Sequence, residues 1–189
     1  MNTIFEKLTN QLNETIESSV SLALHNKNQE VEFVHIIWAL LTNTHSLLNQ
    51  VFNKMNQDKT AIELDIKSYA SKLPHVSTVT KDNIKISKGV VEALQKAQGL
   101  MSSSGDKYIA IDTLLLANLD QKVFKEVIAK YVDISELKKT IQAIRGGAKI
   151  ESQSGDDVLD SLAKYGINLN QRAIDGELDP VIGRDEQIQ

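Results

Sequence analysis

The chain has no cysteine among its 189 residues, which excludes disulfides, zinc–thiolate sites and thiol chemistry. It has only two prolines, Pro74 and Pro180, and nine glycines, so turn punctuation is sparse and long helices are favoured. Aromatic residues make up 5%, too few to favour an all-β sandwich. No run of Lys or Arg exists to track phosphates; acids and bases are interspersed and the net charge is −4, so no nucleic-acid partner is expected. The N-terminus, MNTIFEKLTNQLNE, has neither the basic region nor the apolar stretch of a secretory signal. The longest apolar run, IAIDTLLLANL, is interrupted by Asp112 and is too short to span a bilayer, so no membrane partner is expected either. A cytoplasmic location fits these absences.

Catalytic signatures are missing too. There is no G-x-x-x-x-G-K-[ST] loop to cradle phosphates, no apolar run ending in paired acids, and no G-x-S-x-G elbow. His25, His35, His45 and His75 lack metal-ligand spacing, and His35 sits in an apolar helix where a packing role is expected. These residues are therefore expected to form no enzyme, to hold no cofactor and to bind no metal.

What is present is a repeat. An offset of 78 positions lays Thr9 on Ser87, Leu12 on Val90, Ile16 on Leu94, Val31 on Ile109, Phe33 on Ile111 and Ala39 on Ala117. Identity is low, but apolar character persists where a core needs it. In the first copy Leu12, Ile16, Val20 and Ala23 recur at helical spacing behind Thr9, a potential N-cap. HNKNQE is a turn, VEFVHIIWALL a helix apolar on most faces, and LLNQVFNKM and AIELDIKSYASKL complete four helices. VVEALQKAQGLM, IDTLLLANL, VFKEVIAKY and ISELKKTIQAI repeat the order. The expected fold is all-α: repeat one over 1–73, an extended linker over 74–83, and repeat two over 84–145.

Past Ile144, RGGAKIESQSGDD is rich in Gly, Ser and charge, so 146–157 is expected to be a flexible tether. VLDSLAKYGINL then begins an amphipathic helix, followed by turn signals at Asp175-Gly176 and Asp179-Pro180.

LAKYGINLNQRAIDGELDPVIGRDEQIQ resembles the opening of the first AAA+ module in the Clp family of ATP-driven unfoldases, and the two-copy region before it resembles the Clp N-terminal domain. IRGGAKI after the last repeat helix and KLPHV closing the first repeat are similar to ClpB-type disaggregases; the Thr-Glu-His-Leu-Leu signature common in ClpC-type proteins is absent. The resemblance implies a chain cut just inside its ring module over 158–189, with Val181, Ile182 and Gly183 near the adenine base in the intact parent. That parent would use ATP and Mg as a stress-response homohexamer with a DnaK-type co-chaperone, whereas the fragment would be a monomer.

The resemblance also marks residues. In ClpB-type N-domains a Thr near the chain start and two acids around the second repeat's buried helix are tied to substrate handling; they match Thr9, Asp106 and Asp112, the last replacing the family's usual Glu. Read from the residues alone, Asp106 is a helix-entry cap and Asp112 an edge position. Leu94 and Leu100 are either ordinary core or part of an apolar groove. A groove rimmed by the two acids would suit unfolded or aggregated polypeptides that are apolar and basic. Two alternatives stay open: docking of adaptors, as in protease-linked Clp unfoldases, and regulation of the ring ATPase.

Overall fold

A computed structural model describes residues 3–164 of the chain. Copy one supplies α1 (Asn10–His25), α2 (Phe33–Thr42), α3 (Leu47–Lys54) and α4 (Lys59–Ser71). Copy two supplies α5 (Lys88–Ser104), α6 (Ile111–Ala117), α7 (Lys122–Glu126) and α8 (Ile134–Arg145), with a 3-10 turn at Ile128–Lys130 where a continuous helix was expected. A further helix, α9 (Gly155–Lys164), follows.

The equivalence of Thr9 and Ser87 is physical. Thr9 Oγ1 accepts from the Leu12 amide at 3.2 Å and Ser87 Oγ accepts from the Val90 amide at 3.1 Å, so each copy opens on the same side-chain cap. α1 then buries Leu12, Ile16, Ser19 and Ala23 against α2, which is enclosed along its length from Phe33 to Leu41. α2 also packs on α4 and α5, and α5 packs on α6. Leu12, Ile36, Ile37, Phe52, Leu94 and Phe124 are fully buried in one core shared by both copies. Each such side chain contributes about 1.5–3 kcal/mol of transfer free energy.

The copies are interlocked by backbone as well as by side chains. β1 (Glu30–Val31) pairs in parallel with β2 (Lys85–Ile86), and Leu8 forms the corresponding parallel bridge to Ile109. The Ser87 amide donates to Val31 O at 3.1 Å, and its counterpart, the Thr9 amide, donates to Ile109 O at 3.0 Å. The residues leading into the first helix of each copy therefore pair with the turn that precedes the second helix of the other. Neither copy completes its own cap region alone. These short ladders are the exception to the all-α expectation.

Two segments differ from their expected form. The linker is not extended: Val79 is buried, the Val76 amide donates to Lys27 O at 2.7 Å, and the Thr80 amide donates to Asn83 Oδ1 at 2.7 Å, which closes a turn. Nor is 146–157 a free tether over its length. Ile150 is fully buried, the Lys107 amide donates to Ile150 O at 2.8 Å, and the Asn10 amide donates to Gln153 O at 2.8 Å. One isoleucine and a few satisfied backbone groups outweigh the Gly/Ser composition on which the tether was expected. The expected start of the ring module beyond 164, with Val181, Ile182 and Gly183, lies outside the described residues. Among the described residues no helix is long and apolar enough to cross a membrane.

Candidate functional site

Gly105 ends α5 with φ of 80°, a left-handed conformation that turns the chain so that Asp106 points inward. Asp112 lies in the first turn of α6, and Arg145 is the last residue of α8. The guanidinium joins all three. Arg145 Nη1 donates to both carboxylate oxygens of Asp106 at 2.9 Å, while Nε and Nη2 donate to Asp112 Oδ2 and Oδ1 at 3.0 and 2.8 Å. Side-chain exposure is 12% for Arg145, 1% for Asp106 and 9% for Asp112, so this charge-assisted knot is largely out of water. Burial opposes the Arg145 charge, but the paired carboxylates prevail and hold its pKa above the ordinary range.

The remaining hydrogen-bonding capacity is used as well. Asp106 Oδ1 accepts from the Ile150 amide at 3.0 Å, tying the segment after α8 to the turn after α5. Copy one has a neutral counterpart at the same offset: Asn28 stands where Asp106 stands, and His35 stands where Thr113 stands. His35 Nε2 lies 2.9 Å from Asn28 Oδ1 while its Nδ1 accepts from the Glu32 amide at 2.8 Å. Burial lowers the His35 pKa to about 4, so the ring is neutral at pH 7 and Nε2 carries the proton.

Thr9 is buried, and its hydroxyl has two tasks. It caps α1 and donates to Asp156 Oδ2 at 3.0 Å, an oxygen that also lies 3.4 Å from the Ile111 amide at the start of α6. Asp156 opens α9, and Gln11 Nε2 adds contacts to Asp157 and Asp160 at 2.7 Å each. Asp156 Oδ1 is buried with no partner among the described residues. Burial pushes the Asp156 carboxyl up to about 7 against the lowering effect of its hydrogen bonds.

A groove of about 750 Å³ runs between α5, α6 and α8, with Leu100, Leu116 and Ala117 among its apolar lining. The candidate residues distribute around it unevenly. Leu100 is half-buried on its wall, whereas Leu94 lies inside the core and Thr9 on neither surface. Asp106 and Asp112 line it only from behind Arg145. The acidic rim expected from the sequence is thus a buried knot, one of its two negative charges neutralised, because the cation that pairs with both acids arrives from α8. Arg145 was the residue missed. Its signal was the need of two acids flanking a buried helix for a nearby base, and a cation in the last turn of a helix is favourably placed to supply one. No group of His, Asp and Glu suited to a metal ion occurs among the described residues.

Two interlocked four-helix copies joined at reciprocal caps define a duplicated helical N-domain, and residues 7–131 match the Clp repeat N-terminal domain; the chain belongs to that family. It is 56% identical over 184 residues to the chaperone protein ClpB of Wolinella succinogenes and 55% identical over 185 residues to that of Helicobacter hepaticus. These alignments cover 97% and 98% of the chain but 22% of each relative, so the chain spans about a fifth of the length of the curated relatives it matches. The Hsp104 N-terminal domain from Candida albicans has the same fold, with a TM-score of 0.71 at 21% identity over 79% of this chain and 99% of that one. The N-domain of ClpV from Vibrio cholerae follows at 0.61 and 24%, covering 74% and 86%. A ClpV N-domain in complex with a VipB peptide also shares the fold, with a TM-score of 0.56 at 21% identity over 74% and 88% of the two chains.

Proposed function

We propose that this chain is the substrate-recruiting domain of an ATP-dependent protein disaggregase and captures exposed apolar segments of unfolded or aggregated proteins in the groove between α5, α6 and α8. The observation that carries this reading is the groove itself. Leu100, Leu116 and Ala117 remain partly exposed on adjoining helices, around a space large enough for several side chains of a guest peptide. Binding is non-covalent and the domain itself is not an enzyme. ATP and Mg belong to the ring of the parent, a cytoplasmic homohexamer working with a DnaK-type co-chaperone.

Thr9, Asp106 and Asp112 serve this function by position rather than by touching the guest. Arg145 and the two acids fix the ends of α5, α6 and α8 relative to one another and so set the width of the groove. Thr9 fixes the start of α1 and, through Asp156, the start of α6. An NMR titration of the chain with an unfolded, aggregation-prone polypeptide tests the reading. Shifts confined to Leu100, Leu116 and their neighbours, lost in Leu100→Ser and Leu116→Ser, are the expected result. A folded domain with no shifts on that surface rules out direct capture there.

The VipB peptide complex of a ClpV N-domain favours a second reading, in which the guest is a defined peptide of an adaptor or dedicated partner. Saturable binding to one partner sequence, with none to generic unfolded chains, separates the two.

A further inference from the structure

We infer that the groove selects apolar segments flanked by acidic residues, the opposite sign from that expected for two aspartates on a rim. The inference rests on the groove being the capture site. Every exposed ionic side chain lining the groove is a lysine: Lys96, Lys138 and Lys149. Its two carboxylates, on Asp106 and Asp112, are buried and committed to Arg145.

The three lysines are not equally available. Lys96 Nζ is held at 3.0 Å by Asp120, an exposed acid that lines the adjoining pocket rather than the groove, and this pair sums to no net charge. Lys149 Nζ donates to Ser104 O at 2.6 Å, which anchors it beside the C-terminus of α5 but leaves its charge unmatched. Lys138 has no ion-pair partner among the described residues. The open face presents two ammonium groups without an ion-pair partner above an Arg145 knot that carries one excess negative charge, so the groove as a whole keeps one positive charge. The two ammonium groups contrast with a chain whose overall charge is −4.

Their charge sets the pattern of the guest. Lys138 lies in the second turn of α8 and Lys149 beyond its C-terminal end, past the turn at Gly146, so the two lysines line the groove from separate segments of chain. A short apolar run with a Glu or Asp at either end places its side chains on Leu100, Leu116 and Ala117 and its carboxylates at the two lysines. A basic segment meets like charge at both ends instead.

The test uses the chain of 189 residues and three labelled peptides that share one apolar core, flanked by Glu, Ser or Lys. Fluorescence anisotropy at low salt should show the Glu-flanked peptide binding about fivefold tighter than the Ser-flanked one, and the Lys-flanked peptide weaker than both. The gap should close at about 0.5 M salt, where exposed charges are screened. The double variant K138E/K149E, both changes at exposed positions, should invert the order of the Glu- and Lys-flanked peptides. A Lys-flanked peptide that binds as tightly as the Glu-flanked one overturns the charge selection. Binding of all three with equal affinity overturns it while leaving capture in the groove intact. Failure of the Ser-flanked peptide to bind at all sinks both.

Discussion

Asp156 accepts the hydroxyl proton of Thr9 at 3.0 Å across 147 residues of sequence. The contact completes a symmetry that the repeat leaves unfinished. In copy one, Glu32 occupies the N-cap of α2, faces the Ser87 side chain, and forms a capping box with His35. The equivalent position in copy two is Ala110, which has no carboxylate to offer, and α6 has no side-chain cap of its own. Asp156 brings the missing carboxylate from α9 and places it between Thr9 and the first amide of α6. Both acids have raised pKa values, with burial as the leading cause.

Docking of α9 should therefore weaken as pH rises. The Asp156 carboxyl is raised from 3.8 to about 7 in the docked state. Its contribution is fully present below about pH 4 and is lost as pH climbs through about 7. Hydrogen exchange at the Asn10 and Lys107 amides, which donate to Gln153 O and Ile150 O, reports the docking. After correction for intrinsic rates, protection at these amides should fall between about pH 4 and 7 in the parent chain and stay level in Asp156→Asn. A flat profile in the parent chain removes Asp156 as the cause.

The global stability should have an opposite acid limb from His35. Its pKa falls from 6.5 to about 4 on folding, so the folded state resists protonation. That contribution is complete above about pH 6.5 and is lost as pH drops towards 4. Urea unfolding followed by Trp38 fluorescence should show stability declining across this window, and the decline should shrink in His35→Gln. Equal slopes in the two proteins would assign the acid limb elsewhere.

Removing the cation from the buried knot should cost more than removing either acid's charge. Arg145→Ala strands two carboxylates that are 1% and 9% exposed, and breaking such a pair costs about 3–5 kcal/mol. Asp106→Asn or Asp112→Asn leaves one carboxylate still matched and should cost less than Arg145→Ala. Denaturant midpoints rank the three. Arg145→Lys should rescue only part of the loss, because an ammonium cannot reproduce two bidentate contacts at once. A loss below about 1 kcal/mol for Arg145→Ala would fit an exposed pair rather than this one.

Two glycines provide a controlled comparison. A Cβ on Gly155 would lie 2.9 Å from both Cδ1 and Cγ2 of Ile150, whereas a Cβ on Gly99 meets nothing within 4 Å. Gly155→Ala should push Ile150 from its site and cost about 1–3 kcal/mol of local stability. Gly99→Ala, in the interior of α5, should stabilise by about 0.5–1 kcal/mol. Thermal melts together with exchange at the Lys107 amide measure both. If Gly155→Ala leaves that amide protected, Ile150 does not hold the segment down.

Local signals were legible because their causes are local. Thr9 and Ser87 were alignable as paired positions because each caps a helix through an amide three residues on. The apolar spacing of α1 and the continuous apolar run of α2 announced their burial, and the duplication announced its own offset. The linker and the segment after α8 were misjudged because composition measures average cohesion, whereas Val79 and Ile150 each seat one side chain in the packed body.

The sequence by itself determined a duplicated helical domain of the Clp N-terminal family, with its cap positions and most of its core. Only the tertiary structure decided the state of the candidate residues: Leu94 inward and Leu100 outward on the same helix, and Asp106 and Asp112 buried behind Arg145. It also decided that lysines, not aspartates, face the open groove. The physical reason is that charge on a surface depends on which partners meet. Arg145 meets Asp106 from 39 residues away and Asp112 from 33, through the packing of α8 across the ends of α5 and α6. No periodicity within a helix encodes that crossing.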